Sequence, residues 1–272
     1  MATEIPRLGL GTWSNTDPEQ CATSVRNALE MGYRHIDTAQ SYDNEAAVGR
    51  GIREASVDRE DVFLATKVST GNLAYDDVIA STMESLDRLG VETIDLLYIH
   101  WPMNTYDPTE TLRAFDELRD DGHIRHVGVS NFEPRHLAEA ESMLDAPIVA
   151  NQVEMHPLCP QTELVEKAQA DGHWVVAYTP LARGEVFGHP VVREVAETHD
   201  VTPAQVCLGW LLSKDNVGAV PKATGEAHLR ENFEARNLDL ESDAVERLDT
   251  IEERKRLVDP SGAPWNEPVP TE

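Results

Sequence analysis

Asp37 and Tyr42 stand five residues apart in HIDTAQSYDNE, residues 35–45, just past a short apolar run that ends at Ile36. A carboxylate and a phenol at the mouth of a strand are parts of a proton-transfer site, provided a cation is present to set the phenol's acidity. Other short apolar runs end in similar chemistry. Thr12 follows GLG, Lys67 follows VFLAT, His100 follows LLYI, and Ser130 with Asn131 follow HVGV. Gln152 and Glu154 sit in IVANQVE, Tyr178 in VVAYTP and Lys222 after GAVP. Singly, each has an ordinary explanation: Asp37 a turn cap, Lys67 a solvated end, His100 a satisfied core histidine, Tyr178 packing, Ser130–Asn131 a helix cap. Eight strand ends in register make a site.

The elements that position these residues are legible in the apolar pattern. Strands are expected in IPRLGLGT, YRHID, VFLATK, IDLLYIHW, HVGVSN, IVANQVE, VVAYTP and GAVPK. Between them lie stretches of helical periodicity: 18–32, 44–55, 75–90, 108–122, 133–144, 162–172 and 203–214. Asp17 before Pro18 and Thr202 before Pro203 read as helix starts, and Gly32, Gly90, Gly122 and Gly172 as helix ends. Short, nearly continuous apolar strands alternating with helices predict a parallel sheet closed into a (β/α)₈ barrel, a single domain over 1–272. An open doubly wound sheet is disfavoured because no GxGxxG follows a strand and no linker marks a second domain. In a barrel, the C-terminal strand ends meet at one mouth, where catalytic residues collect. The proline-rich stretch 257–272 reads as a tail over that mouth.

Composition narrows the partners. The chain has 272 residues with 49 acidic and 23 basic ones, a formal net charge of −26. The acids are dispersed (DPEQ, DRED, DELRDD, ESDAVERLD), and lysine occurs only at 67, 167, 214, 222 and 255. Such a surface repels nucleic acid and anionic membranes and suits a salt-rich cytoplasm, where counter-ions screen the self-repulsion. Cys21, Cys159 and Cys207 lack paired spacing, so neither a disulfide framework nor a zinc site is expected. His123 and His126 flank a turn, and His156 lacks ligand-type neighbours at a recognisable spacing, so no metal is expected. A soluble monomer is the default expectation.

In order along the chain, GLGTW, GYRHIDTAQSYDNEAAVG, LATKV, DLLYIHWP, VGVSNF, ANQVE, AYTPLARG and VPKAT with REN resemble the motifs of the aldo-keto reductase family. The likeness runs over nearly the whole chain and is nearest to the prokaryotic 2,5-diketogluconate or methylglyoxal-type reductases. It implies a reductase in which Tyr42 donates a proton to a carbonyl, Lys67 lowers the phenol's pKa, Asp37 holds Lys67, and His100 orients the substrate oxygen. It implies NADP(H), with Tyr178 stacking on the nicotinamide and Ser130, Asn131 and Gln152 bonding its carboxamide. Gly11, Thr12 and Asp37 would line the cofactor, Leu181 would follow the pyrophosphate, and Lys222, Thr224, His228, Glu231 and Asn232 would hold the adenosine end.

Two positions depart from the family pattern: Ala223 replaces a serine, and His228 replaces the arginine that clamps the 2′-phosphate. NAD(H) use is therefore open beside NADP(H). The family's N-terminal floor hairpin is expected to be missing or reduced to the first few residues. Trp13, Trp101 and Trp265 are expected as substrate walls beside Tyr42 and His100. With only the short segment PMNTYDP after Trp101, the pocket should be shallow and suit small aldehydes, α-dicarbonyls or keto-sugars. Two alternatives stay open: a catalytically silent nucleotide-binding protein, and an aldolase with Lys67 as Schiff-base nucleophile.

Overall fold

A computed structural model describes residues 4–266. Eight parallel strands run in chain order: β1 Leu10–Gly11, β2 His35–Asp37, β3 Phe63–Val68, β4 Ile94–Ile99, β5 Ile124–Ser130, β6 Ile148–Glu154, β7 Trp174–Tyr178 and β8 Val217–Ala219. The ends of this sheet meet. Leu8 bridges Ala219 and Gly11 bridges Lys222, both parallel. Gly9 N–H donates to Ala219 O at 2.9 Å and Gly11 N–H to Pro221 O at 3.1 Å. The (β/α)₈ barrel is therefore closed, as the alternation of elements predicts. Gly11 is needed at this seam, because a Cβ there would lie 2.5 Å from Val220 O. The first strand is shorter than IPRLGLGT because residues 7–9 bond across the seam, leaving Leu10–Gly11 for β2.

The helices follow their local signals. In α1, Pro18–Met31, the Asp17 carboxylate accepts from Gln20 N–H at 2.7 Å, and Gly32 ends the helix at φ 108°. Next come α2 Glu45–Glu54, α3 Tyr75–Leu89, α4 Pro108–Asp120, α5 Pro134–Met143 and α6 Thr162–Asp171. Gly90 and Gly172 end α3 and α6 in the left-handed region, and Gly122 lies one residue beyond the cap of α4. In α8, Pro203–Leu212, Thr202 and Gln205 form a reciprocal capping box, which satisfies two orphan donors.

Three helices were not anticipated: α7 Pro190–His199, α9 Glu226–Glu234 and α10 Ser242–Asp249. They have eight to ten residues and end in Asp200, Ala235 and Thr250 rather than glycine. Their narrow apolar faces become helical through packing on the barrel.

One core layer lies between strands and helices, around Val25, Leu64, Leu97, Phe115 and Trp210. A second fills the barrel with Ile5, Ala65, Leu96, Tyr98, Val149, Ala150, Val176 and Val220. Ile5, 3% exposed, packs there from the few residues that precede β1. Along β3, Ala65 faces this interior and Lys67 follows on the same side, since strand side chains alternate. The strand period thus points the lysine up the inside of the barrel.

Candidate active site

Asp37 is the last residue of β2, and Lys67 lies on the adjacent β3. Lys67 Nζ is 2.6 Å from Asp37 Oδ1, 2.7 Å from Thr38 O and 3.4 Å from the Tyr42 hydroxyl. Both charged side chains are almost wholly buried. Such a charge is tolerated only when paired and hydrogen-bonded. Gln152 completes the set, donating Nε2–H to Asp37 Oδ2 at 2.7 Å.

Tyr42 ends a single 3₁₀ turn, Gln40–Tyr42, held from two sides. Gln40 Nε2 donates to Ser81 O at 3.1 Å and Ser85 Oγ at 3.2 Å, while its Oε1 accepts from Ser69 N–H at 2.9 Å. On the other side, Asn44 Nδ2 donates to Thr12 O at 2.9 Å. The phenol is thereby fixed over the lysine. His100 stands beside it, ring centroids 5.9 Å apart at 78°. His100 Nδ1 lies 3.4 Å from Ser41 Oγ, which leaves Nε2 for a ligand.

Burial sets the protonation states. It draws His100 down to about 3, with the Lys67 cation adding to the effect, so the imidazole is neutral at ordinary pH. Burial pulls Lys67 down, but Asp37 and Tyr42 together more than reverse this, and its pKa lies above the usual value. For Tyr42, burial raises the pKa and outweighs the lowering by Lys67, so the net direction is upward. Lys67 thus acts in the expected direction, and burial, with Asp37 adding to it, overrides it. The site holds a neutral phenol beside a cation.

A cleft of about 800 Å³ opens over these groups. Gly11, Trp13, Asp37, Tyr42, His100, Trp101, Ser130, Asn131, Gln152, Tyr178, Leu181, Lys222, Thr224, His228, Glu231 and Asn232 all line it. Three anticipated residues do not. Lys67 is sealed beneath Tyr42 and Asp37. Thr12, 1% exposed, spends its hydroxyl on Asp37 O at 2.9 Å, so it braces the strand end rather than the cofactor. Trp265 leans on Trp101, centroids 5.5 Å apart, from outside the cleft.

The cleft suits an elongated, partly anionic ligand. At its inner end, Asn131 Nδ2 donates to His100 O at 3.1 Å and Ser130 Oγ at 3.0 Å, and Tyr178 donates its O–H to Asn131 Oδ1 at 2.8 Å. Asn131 takes φ 63°, a left-handed conformation that asparagine tolerates better than most residues. This bonding holds the Tyr178 ring at the cleft wall. At the outer end, Lys222 and His228 are exposed and Asn232 is buried, with His228 Nδ1 3.2 Å from Glu231 Oε2. The Lys222 cation and polar groups at one end and a fixed aromatic face at the other fit a nicotinamide dinucleotide.

Several lining residues were missed from sequence. Arg183 reaches across to Trp13, guanidinium 5.1 Å from the ring centroid. Phe187 and Val258 also contribute. All three lie outside the periodic elements, where no pattern marks a residue as facing a cleft. His156, set aside as lacking neighbours, is fully buried with Nε2 2.9 Å from Glu154 Oε1. Near the opposite end of the barrel, Glu141, Asp171 and His173 lie close enough to share an ion. Lys167 Nζ already bridges those two carboxylates at 3.2 and 2.6 Å.

Comparison with known proteins gives the family. Residues 7–253 match the aldo/keto reductase family, and the chain belongs to it. It is 40% identical over 93% of its length to an aldo-keto reductase of Mycobacterium sp. strain JLS, covering 91% of that protein. It is 36% identical to the methylglyoxal reductase DkgB of Escherichia coli O157:H7, covering 95% of this chain and 97% of that one. A solved structure provisionally designated 2,5-diketo-D-gluconic acid reductase B superposes with a TM-score of 0.91 at 38% identity, over 95% of this chain and 92% of the other. The protein is thus an oxidoreductase of a family that uses nicotinamide nucleotides to reduce carbonyls. No described helix is long and apolar enough to cross a membrane.

Proposed function

We propose that the protein reduces small aldehydes or α-dicarbonyls with NADP(H), Tyr42 supplying the proton. The observation that carries this reading is the Tyr42 hydroxyl 3.4 Å above the paired Lys67 ammonium, at the inner end of the cleft. When bound there, a reduced nicotinamide supplies hydride to the carbonyl carbon. His100, neutral and with Nε2 open, donates a hydrogen bond to the carbonyl oxygen and orients it toward the phenol. As negative charge develops on that oxygen, Tyr42 passes its proton across. The phenolate left behind is stabilised by Lys67, whose charge Asp37 and Thr38 O hold in place.

Ser130, Asn131 and Gln152 orient the nicotinamide carboxamide, and Tyr178 presents the ring face. Gly11 and Leu181 flank the cofactor's path, and Thr12 supports it through Asp37. Lys222, Thr224, Glu231 and Asn232 hold the adenosine end. Lys222 favours NADP(H), while His228 in place of an arginine admits NAD(H) as well. Trp13 and Trp101 form apolar walls open to solvent, which suits compact substrates such as methylglyoxal, the substrate named for the Escherichia coli relative.

A Schiff-base role for Lys67 is disfavoured. Its amine is buried, points at three oxygens and has a raised pKa, the reverse of a nucleophilic lysine. The test is NADPH oxidation with methylglyoxal by the purified protein. Turnover dependent on both supports the reading; tight NADPH binding without turnover would favour a silent binding protein.

A further inference from the structure

Glu154, the last residue of β6, is fully buried, and the hydrogen bonds of its carboxylate go to groups beyond β6 rather than to Asp37, Lys67 or Tyr42. Oε1 accepts from Leu257 N–H at 2.7 Å and from His156 Nε2 at 2.9 Å, and Oε2 accepts from Val258 N–H at 2.7 Å. The two amide donors belong to the C-terminal tail, more than a hundred residues away. Backbone N–H groups outside regular structure need partners when they leave water, and a carboxylate is a strong acceptor for two of them at once.

The residues around this latch tie it to the substrate side of the cleft. Val258 lines the cleft. The Arg256 guanidinium lies 3.7 Å from the Trp265 ring centroid, and Trp265 leans on Trp101, the neighbour of His100. Asp259 accepts from Trp265 Nε1 and Asn266 Nδ2, both at 2.8 Å, so the tail folds back on itself beyond the latch. Lys255 N–H donates to Leu158 O at 2.8 Å just before it. The segment is therefore held to the loop after β6 and to the end of β6, and its far end packs on a substrate-side tryptophan.

Resting on the reductase reading for its kinetic consequence, we infer that Glu154, braced by His156, is a positioning residue that sets substrate specificity by fixing the tail as one wall of the substrate pocket. Glu154 itself does not line the cleft. Loosening it should release Val258 and the support that Trp265 gives Trp101 from outside the cleft, while leaving Asp37, Lys67, Tyr42 and His100 in place. Apolar contact with a large substrate would be lost and a small one little affected.

The test combines hydrogen exchange with kinetics on the full chain, for the parent, Glu154→Gln and Trp265→Ala. In Glu154→Gln, the Leu257 and Val258 amides should exchange at least tenfold faster while the strands keep their protection. KM for 4-nitrobenzaldehyde should rise roughly five- to twentyfold, with kcat, KM for methylglyoxal and NADPH affinity within about twofold. Trp265→Ala should raise the same KM without changing exchange at 257 and 258, and this variant carries the kinetic test if Glu154→Gln does not fold. Unchanged exchange at those amides overturns the latch. Faster exchange, or loss of the tail tryptophan, with no rise in the aromatic aldehyde's KM overturns its role in specificity. If the parent oxidises no NADPH with either aldehyde, the reductase reading fails, and the specificity role falls with it, while the exchange data still decide the latch.

Discussion

Lys67 Nζ lies 2.6 Å from Asp37 Oδ1, both side chains nearly sealed from water at the ends of neighbouring strands. Breaking a buried pair by removing one partner leaves an uncompensated charge, at a cost of about 3–5 kcal/mol. Lys67→Met should therefore destabilise the fold by about that amount, measured by urea denaturation. Asp37→Asn in the same chain should recover much of it, since no lone carboxylate remains. Strictly additive losses in the double variant would mean that the two groups do not interact as the geometry requires.

His100 carries the pH dependence. Its pKa is about 3 in the folded protein against about 6.5 for a free histidine. Between those values the unfolded chain takes up a proton that the folded one refuses. The contribution to stability is complete above pH 6.5 and is lost as pH falls toward 3. Denaturation midpoints at pH 7.5 and 5.5 should differ less in His100→Gln than in the parent, by at most about 1.4 kcal/mol per pH unit. An equal slope in both proteins would show that His100 does not titrate this way.

Cofactor choice turns on the exposed His228–Glu231 pair at the outer end of the cleft. Arginine presents a planar, always-charged fork where histidine offers one ring edge. His228→Arg should raise the ratio of kcat/KM for NADPH over NADH by about tenfold, an energy near that of one charge-assisted hydrogen bond. The ratio comes from steady-state rates with the two cofactors, and no change would remove His228 from the phosphate site.

The net charge of −26 predicts that salt stabilises the fold. Thermal unfolding should shift upward by several degrees between dilute buffer and molar KCl. Equal stability in both would make the acidity an ordinary surface property rather than an adaptation to salt.

How much the sequence disclosed depends on which forces are local. Asp37, His100, Ser130, Asn131, Gln152 and Tyr178 could be placed together because parallel strands in a barrel deliver all their ends to one mouth. Helix starts at Asp17 and Thr202 were readable because their caps are made within three residues. Glu154 was not legible beyond being a polar strand end, because its donors at Leu257 and Val258 are remote in sequence. The effect of Lys67 on Tyr42 was legible, but not the net direction, because burial, which no motif encodes, outweighs the neighbouring lysine. Thr12 and Trp265 were placed in the right neighbourhood but given contacts that their side chains use elsewhere.

The central claim is that Tyr42 delivers the proton, and Tyr42→Phe tests it most directly because the ring and its packing against His100 persist. With methylglyoxal and NADPH, kcat should fall by about 10²–10⁴, the usual worth of a positioned general acid, while NADPH affinity measured by fluorescence stays within twofold. A variant that turns over as fast as the parent would contradict the account.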